Sequence, residues 1–274
     1  MCMKKIILPL FLIFVFFQSS PGSDSYITLA STTSTENSGL LSYLLPFFEK
    51  KTGISVRVLT KGTGQALELG RRGDVDVVFV HAEILEKKFV SNGFGLKRYP
   101  VMYNDFVVLG PSYNPAAILS YDSVESAFQK IFNTRSVFVS RGDNSGTHLK
   151  ERQIWNKVGL DMSSKSWDLY KEVGSGMGTT LNIAVALNGY TLADRATWKT
   201  FSNKGNMKII LEGDPILFNQ YGVILINPKL HPHVKKDRGQ IFINWLISKD
   251  GQNLISTYLS NNEQLFFPNY ESKN

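Results

Sequence analysis

The feature that most constrains the fold is a unit that recurs along the chain. Each unit is an apolar strand, a turn rich in hydroxyl groups and glycine, and a helix with apolar residues on one face. Two units occupy residues 26–48 and 54–69, and a third follows the apolar run at residues 136–139. Strands that alternate with helices are typical of an α/β fold with a parallel sheet. Because the carboxyl ends of parallel strands lie along one sheet edge, we expect these turns to meet there.

The third turn, residues 140–148, has the chemistry best suited to a small oxyanion. Ser145 and Thr147 supply hydroxyl donors, and Arg141 supplies a permanently charged guanidinium. Glycines within the turn allow a tight bend, and the helix that follows offers backbone N–H groups with partial positive charge. The plainer alternative is that Ser145 or Asn144 only caps the helix, and that Arg141 lies on the surface.

The same turn has a superficial likeness to a serine-hydrolase signature. Its spacing fits neither G-x-S-x-G nor a Gly-Asp-Ser-Gly run. His148 is also close to Ser145 in sequence, whereas a catalytic base usually comes from elsewhere in the fold. We therefore do not expect an enzyme. An exported hydrolase that uses Ser145 stays the distant alternative, and a surface adhesion module has little support.

The N-terminal segment, residues 1–23, predicts export. Lys4 and Lys5 precede an apolar run at residues 6–17, and small and polar residues follow. This is the layout of a secretory signal peptide, and the run is too short to span a membrane. The single cysteine, Cys2, lies in this segment, so no cysteine follows the run to accept a lipid. We expect a cleaved signal and a free periplasmic protein, with an uncleaved anchor as the alternative.

Charge and composition narrow the possible partners. The formal net charge is +7, which falls to +5 when the two signal lysines are removed. This charge favours anionic partners, but no basic cluster interleaved with aromatic residues predicts nucleic acid. Asp74/Asp76 and His231/His233 are pairs too isolated to form a metal-cation site. We expect no cofactor.

Two long strand-like passages predict how the chain is divided. Residues 100–111 and 220–228 each read as a strand that crosses between two α/β lobes. We place lobe I at residues 24–107 and 222–274 and lobe II at residues 108–221. Each lobe is expected to hold a mainly parallel sheet flanked by helices. Two crossovers between two lobes predict a hinged cleft in a monomeric protein.

Several short stretches in order along nearly the whole mature chain carry a family resemblance. They are residues 30–35 and 38–41, 62–67, 76–78 with 81–82, 103–107, 140–148, 176–178, and 190–192 with 194–195. In these stretches the chain resembles the tungstate-binding family among the solute-binding proteins of bacterial oxyanion ABC importers. The resemblance implies a two-lobed type II periplasmic binding protein. It also implies that tungstate, or molybdate, is delivered to a membrane permease driven by an ATPase.

The resemblance also implies the site residues. The wider phosphate-binding family shares Arg-x-x-x-Ser-Gly-Thr, and a Ser or Thr at the first turn and at a glycine-flanked turn. On this pattern the anion is held by Thr33, Ser34 and Thr63 from lobe I, and by Arg141, Ser145, the Gly146 N–H and Thr147 from lobe II. The choice among Thr32, Thr33, Ser34 and Thr35 stays open, as does a role in the cleft for His81, Asp194 or Arg195.

One departure from the phosphate pattern bears on the choice of anion. Phosphate binders place an Asp near the strand end where this chain has His81. Phosphate near neutral pH carries a proton that needs an acceptor, and a buried unpaired donor costs about 1–3 kcal/mol. Tungstate, molybdate and sulfate only accept, so a site of donors alone suits them and a facing carboxylate repels them. A carboxylate at the anion, such as Asp143 or Asp194, would contradict this expectation. Molybdate, sulfate and phosphate remain the alternatives to tungstate.

Overall fold

The computed structural model describes residues 25–162, 167–260 and 262–271. The predicted signal peptide, with Lys4, Lys5 and Cys2, lies outside the described residues. The strands are β1 (Tyr26–Thr32), β2 (Ser55–Lys61), β3 (Val77–Val80), β4 (Gly95–Pro111), β5 (Phe138–Ser140), β6 (Tyr170–Glu172), β7 (Thr191–Asp194), β8 (Met207–Leu211), β9 (Phe218–Ile226), β10 (Leu259–Ser260), β11 (Glu263–Gln264) and β12 (Phe267–Pro268).

The helices flank these strands. They are α1 (Thr33–Asn37), α2 (Leu40–Thr52), α3 (Thr63–Arg72), α4 (Glu83–Ser91), α5 (Val124–Asn133), α6 (Gly146–Lys157), α7 (Met177–Leu187), α8 (Arg195–Thr200), α9 (Lys236–Leu246) and α10 (Lys249–Thr257). Within the described ranges, none of the helices has the length and apolar character that crossing a bilayer requires.

The first three strands form the parallel part of the main sheet. The central strand β1 pairs with β2 and with β3, and both pairs are parallel. Thr32 at the end of β1 is level with Lys61 at the end of β2, and Ser31 is level with Phe79 near the end of β3. The turns after these strands therefore share one sheet edge, as the sequence predicts.

Two long strands, β4 and β9, link the parallel strands to β7. β4 pairs antiparallel with β9 up to Asp105, and with β7 from Phe106 onward. β9 also pairs antiparallel with β3, so it joins β4 to the parallel strands. The expected α/β class with two crossover strands is confirmed.

The hydrophobic core changes partners along β4. Met102 packs in a cluster with the helices α2, α9 and α10, whose large members include Phe48 and Phe242. Phe106, four residues later, packs in a different cluster that surrounds the fully buried Trp155. Full burial of one such side chain contributes about 1.5–3 kcal/mol. The two parts of β4 are therefore stabilised by two different cores.

Short elements depart from the sequence expectation. The predicted turn at residues 31–39 contains the helix α1, because β1 continues to Thr32 and the Thr32 hydroxyl caps the helix by accepting from the Thr35 N–H. The strand β7 ends at Asp194, whose carboxylate caps α8 by accepting from the Thr197 N–H. In both places a side-chain cap starts a helix too short to show an apolar periodicity.

Candidate functional site

The turns after β1, β2 and β3 meet the start of α6. A Cβ atom added to Gly64 would lie 3.4 Å from the Asn144 carbonyl oxygen, and one added to Gly62 would lie 3.9 Å from the Ser145 Cα. A Cβ atom on Gly146 would lie 3.0 Å from the ring of His81, which follows β3. The backbone turns are thus in close contact, and a side chain at Gly146 would crowd the His81 ring.

Three buried donor groups at these turns, in addition to His148 Nε2, have no hydrogen-bond partner in the described part of the chain. They are the Thr63 hydroxyl, the Arg141 Nε–H and the Thr147 hydroxyl. Arg141 is 3% exposed, Thr147 is 1% exposed and Thr63 is fully buried. Leaving a buried donor unpaired costs about 1–3 kcal/mol each. Three such costs in one place make these turns the candidate ligand site.

Arg141 is held in place by a neighbouring carboxylate. Its Nη2 donates to Asp143 Oδ2 at 2.5 Å, and Asp143 Oδ1 accepts from the Ser145 N–H at 3.1 Å. Burial lowers the pKa of Arg141 and the charge of Asp143 opposes that shift. The alternative of a surface arginine is therefore wrong. Asp143 orients the guanidinium while its Nε–H stays unpaired.

Ser145 is the N-cap of α6, as the plainer alternative expected. Its hydroxyl oxygen accepts from the His148 N–H at 3.3 Å, so its own proton can still be donated. The imidazole of His148 accepts from the Asn144 N–H at 3.0 Å through Nδ1. The ring is engaged with the backbone and not with the Ser145 hydroxyl, and this arrangement does not support a serine nucleophile.

The first turn differs because its hydroxyl groups bond to one another. Ser34 Oγ lies 3.0 Å from Thr32 Oγ1 and 3.0 Å from His81 Nε2, and Thr32 Oγ1 lies 2.6 Å from Thr35 Oγ1. Ser34 is buried, whereas Thr33 at the start of α1 is half-buried. His81 therefore lies against both Ser34 and Gly146, beside the predicted anion donors.

A buried hydrogen-bond network continues from His81 to the two long strands. His81 Nδ1 lies 3.1 Å from Asn219 Oδ1, and Asn219 Nδ2 donates to Asn104 Oδ1 at 2.7 Å and to Asp194 Oδ2 at 3.2 Å. The Asp194 carboxylate also accepts from Asn104 and from the Tyr221 hydroxyl. The sequence did not single out Asn219 or Tyr221; the only available signal was a polar residue inside an otherwise apolar strand.

Arg195, whose role the sequence left open, and the isolated pair His231 and His233 have structural partners. The guanidinium of Arg195 pairs with Asp105 at 2.5 Å and with Glu212 at 2.6 Å. His231 and His233 bond through Nε2 to the carbonyl oxygens of Arg71 and Gly73. Among the residues that the structure describes, no group of three His, Cys, Asp or Glu side chains could hold a metal ion.

A cavity of about 320 Å³ lies beside His81. Its lining includes Ile84, Lys150, Phe218 and Asn219. Lys150 reaches across it from α6 and donates to the Ile216 carbonyl oxygen at 2.8 Å. His81 thus lines this cavity and also bonds to Ser34 of the first turn.

Comparisons with known proteins agree with this geometry. A family model described as PBP superfamily domain matches residues 18–250. The tungstate-binding protein TupA of Peptoclostridium acidaminophilum is 43% identical over 85% of this chain and 81% of its own length. A solved TupA structure from Desulfovibrio alaskensis G20 is 44% identical, with a TM-score of 0.78 over 90% of this chain and 99% of that one. The tungstate ABC transporter structure from Geobacter sulfurreducens is 44% identical, with a TM-score of 0.78 over 86% and 100% of the two chains.

Proposed function

Because this chain belongs to the PBP superfamily and, within it, to the family of TupA tungstate-binding proteins, we propose that it binds tungstate and passes it to an ABC importer. The family consists of substrate-binding transport proteins, so the chain is not an enzyme. The partners are the membrane permease and the ATPase of that importer. The protein acts in the periplasm as a free monomer after its signal peptide is removed.

The observation that carries this proposal is the meeting of three unpaired buried donors from opposite turns. Thr63 starts α3, while Arg141 and Thr147 flank the start of α6. A tetrahedral dianion offers four oxygen acceptors, so it can bond to all of them together with the N–H groups at the two helix starts. The proposed anion ligands are Thr33, Ser34, Thr63, Arg141, Ser145, the Gly146 N–H and Thr147.

The donor set is sufficient for tight binding. A nanomolar dissociation constant requires about 12 kcal/mol. Charge-assisted hydrogen bonds contribute about 1.5–3 kcal/mol each, and every donor here faces a charged acceptor. Arg141 adds the only guanidinium among the proposed ligands. The three buried donors are unpaired in the unliganded protein, and an anion relieves the free-energy cost of leaving them so. Anion binding is therefore more favourable here than at an exposed site.

We infer that the anion closes two lobes on each other. Lobe I is residues 24–107 and 222–274, and lobe II is residues 108–221. Thr63 belongs to the first and Arg141 to the second. A ligand that bonds to both favours the closed arrangement, because only that arrangement makes both sets of contacts. The separate cores around Met102 and around Phe106 support a division of the chain into two lobes.

The test is isothermal titration of the purified mature protein with tungstate, molybdate, sulfate and phosphate in turn. We expect tight one-to-one binding of tungstate and little response to phosphate, because the site offers donors and phosphate also needs an acceptor. A preference for phosphate would contradict the donor-only site. A preference for molybdate or sulfate would keep the binding class and change the cargo, and no response to any anion would reject the proposal.

A further inference from the structure

The position of every proton around Ser34 follows from one buried carboxylate. Asp194 can only accept, so the Asn219 group that faces it at 3.2 Å must be the amide Nδ2. Asn219 Oδ1 then faces His81 Nδ1 at 3.1 Å and must receive a proton from it. A neutral His81 with its proton on Nδ1 has a lone pair on Nε2. The hydroxyl of Ser34, 3.0 Å away, must donate to that lone pair.

The donor direction of the other hydroxyl groups in the first turn follows from that of Ser34. Because the Ser34 proton is committed to His81, Thr32 donates to Ser34, and Thr35 donates to Thr32. Thr32 Oγ1 also accepts from the Thr35 N–H. In this state Ser34 has only an oxygen lone pair left to offer. A lone pair repels an oxyanion that carries no proton of its own.

We propose that His81 takes up one proton when an unprotonated oxyanion binds, and that this proton turns Ser34 from an acceptor into a donor toward the anion. The proton comes from the buffer and adds to Nε2. Nε2–H then donates to Ser34 Oγ, which releases the Ser34 hydroxyl proton for the anion. No covalent bond other than N–H forms. His81 is a positioning residue that acts through Ser34, and the inference rests on the proposed function.

The surroundings of His81 oppose its charge until an anion arrives. Burial lowers the pKa of His81, the carboxylate of Asp194 raises it, and the guanidinium of Arg141 lowers it. The Tyr221 ring stacks on His81 at 4.7 Å and the Phe106 ring lies 6.3 Å away, so two aromatic faces exclude water. Burial also raises the pKa of Tyr221, which keeps that group neutral. A dianion beside Ser34 brings two negative charges and therefore favours the protonated ring.

The sign of the effect is fixed by this linkage. The anion raises the pKa of His81, so protons are taken up at any pH between the free and the bound value. Affinity for tungstate therefore increases as the pH falls through that window. The increase is at most about tenfold per pH unit, because one proton is involved.

The experiment measures proton uptake directly. Wild-type protein is titrated with dilute sodium tungstate in buffers of different protonation enthalpy, at about pH 7 and about pH 8.5, both above the ordinary pKa of an imidazole. The slope of the observed heat against the buffer enthalpy gives protons bound per anion. We expect uptake of a large fraction of one proton at the lower pH, and H81Q, whose amide cannot be protonated, should bind tungstate without uptake.

The control is E151Q. Glu151 is also buried, near the turn at residues 140–148, and burial raises its pKa to about 7, so it is the rival source of proton uptake. We expect E151Q to take up protons as the wild type does. Retained uptake in H81Q, or lost uptake in E151Q, would overturn the assignment to His81.

A second variant covers the case in which H81Q does not fold. S34A should weaken tungstate binding severalfold at about pH 7 and much less at higher pH, because Ser34 donates only when His81 is protonated. An S34A cost that is equal at both pH values would overturn the inference. Tungstate binding without proton uptake in the wild type rejects this inference alone, whereas no tungstate binding rejects the proposed function and with it this step.

Discussion

Two hydroxyl-rich turns border the candidate site, and they differ in what their hydroxyl groups do. In the turn at residues 31–35, Thr32, Ser34 and Thr35 bond to one another, and Ser34 also bonds to His81. In the turn at residues 140–148, the hydroxyl of Thr147 and the Nε–H of Arg141 are buried without a partner in the described chain. Both turns start a helix, and both look alike in sequence.

The difference shows that a count of donors does not give the number available to a ligand. A buried hydroxyl that already has an acceptor gains little from an anion, since it exchanges one hydrogen bond for another. A buried hydroxyl without a partner gains the full bond. We therefore expect Thr63 and the turn at residues 140–148 to contribute most of the affinity for the anion. The turn at residues 31–35 should contribute less, and its contribution should depend on pH.

The largest expected effect is on removal of Arg141. R141A should weaken tungstate binding by well over tenfold, because it deletes the only guanidinium of the proposed site and leaves the Asp143 carboxylate, formerly its partner at 2.5 Å, near the anion. Titration calorimetry gives the affinity, and circular dichroism reports whether the protein stays folded.

R135A is the matched control. Arg135 pairs with Asp168 on the surface, where both side chains are largely exposed. An exposed ion pair contributes about 0–1 kcal/mol, so affinity and stability should change little. If R141A binds tungstate as the wild type does, Arg141 is not an anion ligand. The turn at residues 140–148 would then not contribute most of the affinity.

The next effect concerns the two buried threonines. T63V and T147V replace an unpaired hydroxyl with a methyl group of similar size. Each should weaken tungstate binding by about 10-fold to 150-fold, which corresponds to the loss of about 1.5–3 kcal/mol for one hydrogen bond to a charged group. The unliganded protein should become no less stable, because a buried group without a partner is removed.

T52V distinguishes this effect from a general effect of Thr-to-Val changes. The Thr52 hydroxyl donates to the Phe48 carbonyl oxygen at 2.9 Å near the end of α2. T52V should lower the free energy of unfolding slightly and leave tungstate affinity unchanged. If T63V and T147V instead destabilise the protein and keep full affinity, their hydroxyl groups are structural.

The last prediction concerns stability and not affinity, and it involves a group behind the turn at residues 140–148. Glu151 is buried and accepts from the Tyr170 hydroxyl at 2.6 Å, and burial raises its pKa from the ordinary 4.5 to about 7. Folding therefore favours the neutral acid. Its contribution to stability is full below about pH 4.5 and declines as the pH rises to about 7.

E151Q mimics the neutral acid at every pH. Relative to the wild type, E151Q should gain in free energy of unfolding as the pH rises from about 4.5 to about 7, by up to about 3 kcal/mol. Chemical denaturation across this range measures the difference. A constant difference between the two proteins would show that Glu151 keeps its ordinary pKa.

The alternating units made the fold predictable from sequence. The bounds of α2 follow from Leu40, Leu41, Leu44 and Phe48, which are buried on one face, and from Gly53, which ends the helix with a positive φ of 70°. The turn at residues 140–148 was also predictable, because Arg141 and two hydroxyl residues lie together at a strand-to-helix junction. Local spacing determines both features.

The network behind the first turn could not be predicted. His81, Asn219 and Asp194 are far apart in sequence, and their bonds depend on the antiparallel pairing of β3 with β9 and of β4 with β7. No local pattern encodes such pairing. The same reason explains why sequence treated Ser34 as a simple donor, although its proton is directed at His81.

The most direct test of the central claim is a crystal structure of the protein with tungstate, in which the anomalous signal of tungsten locates the anion. The account predicts one tungstate whose oxygens lie within hydrogen-bonding distance of Thr63 Oγ1, Arg141 Nε and Thr147 Oγ1. A tungstate elsewhere, or one whose oxygens contact the carboxylate of Asp143 or Asp194, would contradict it.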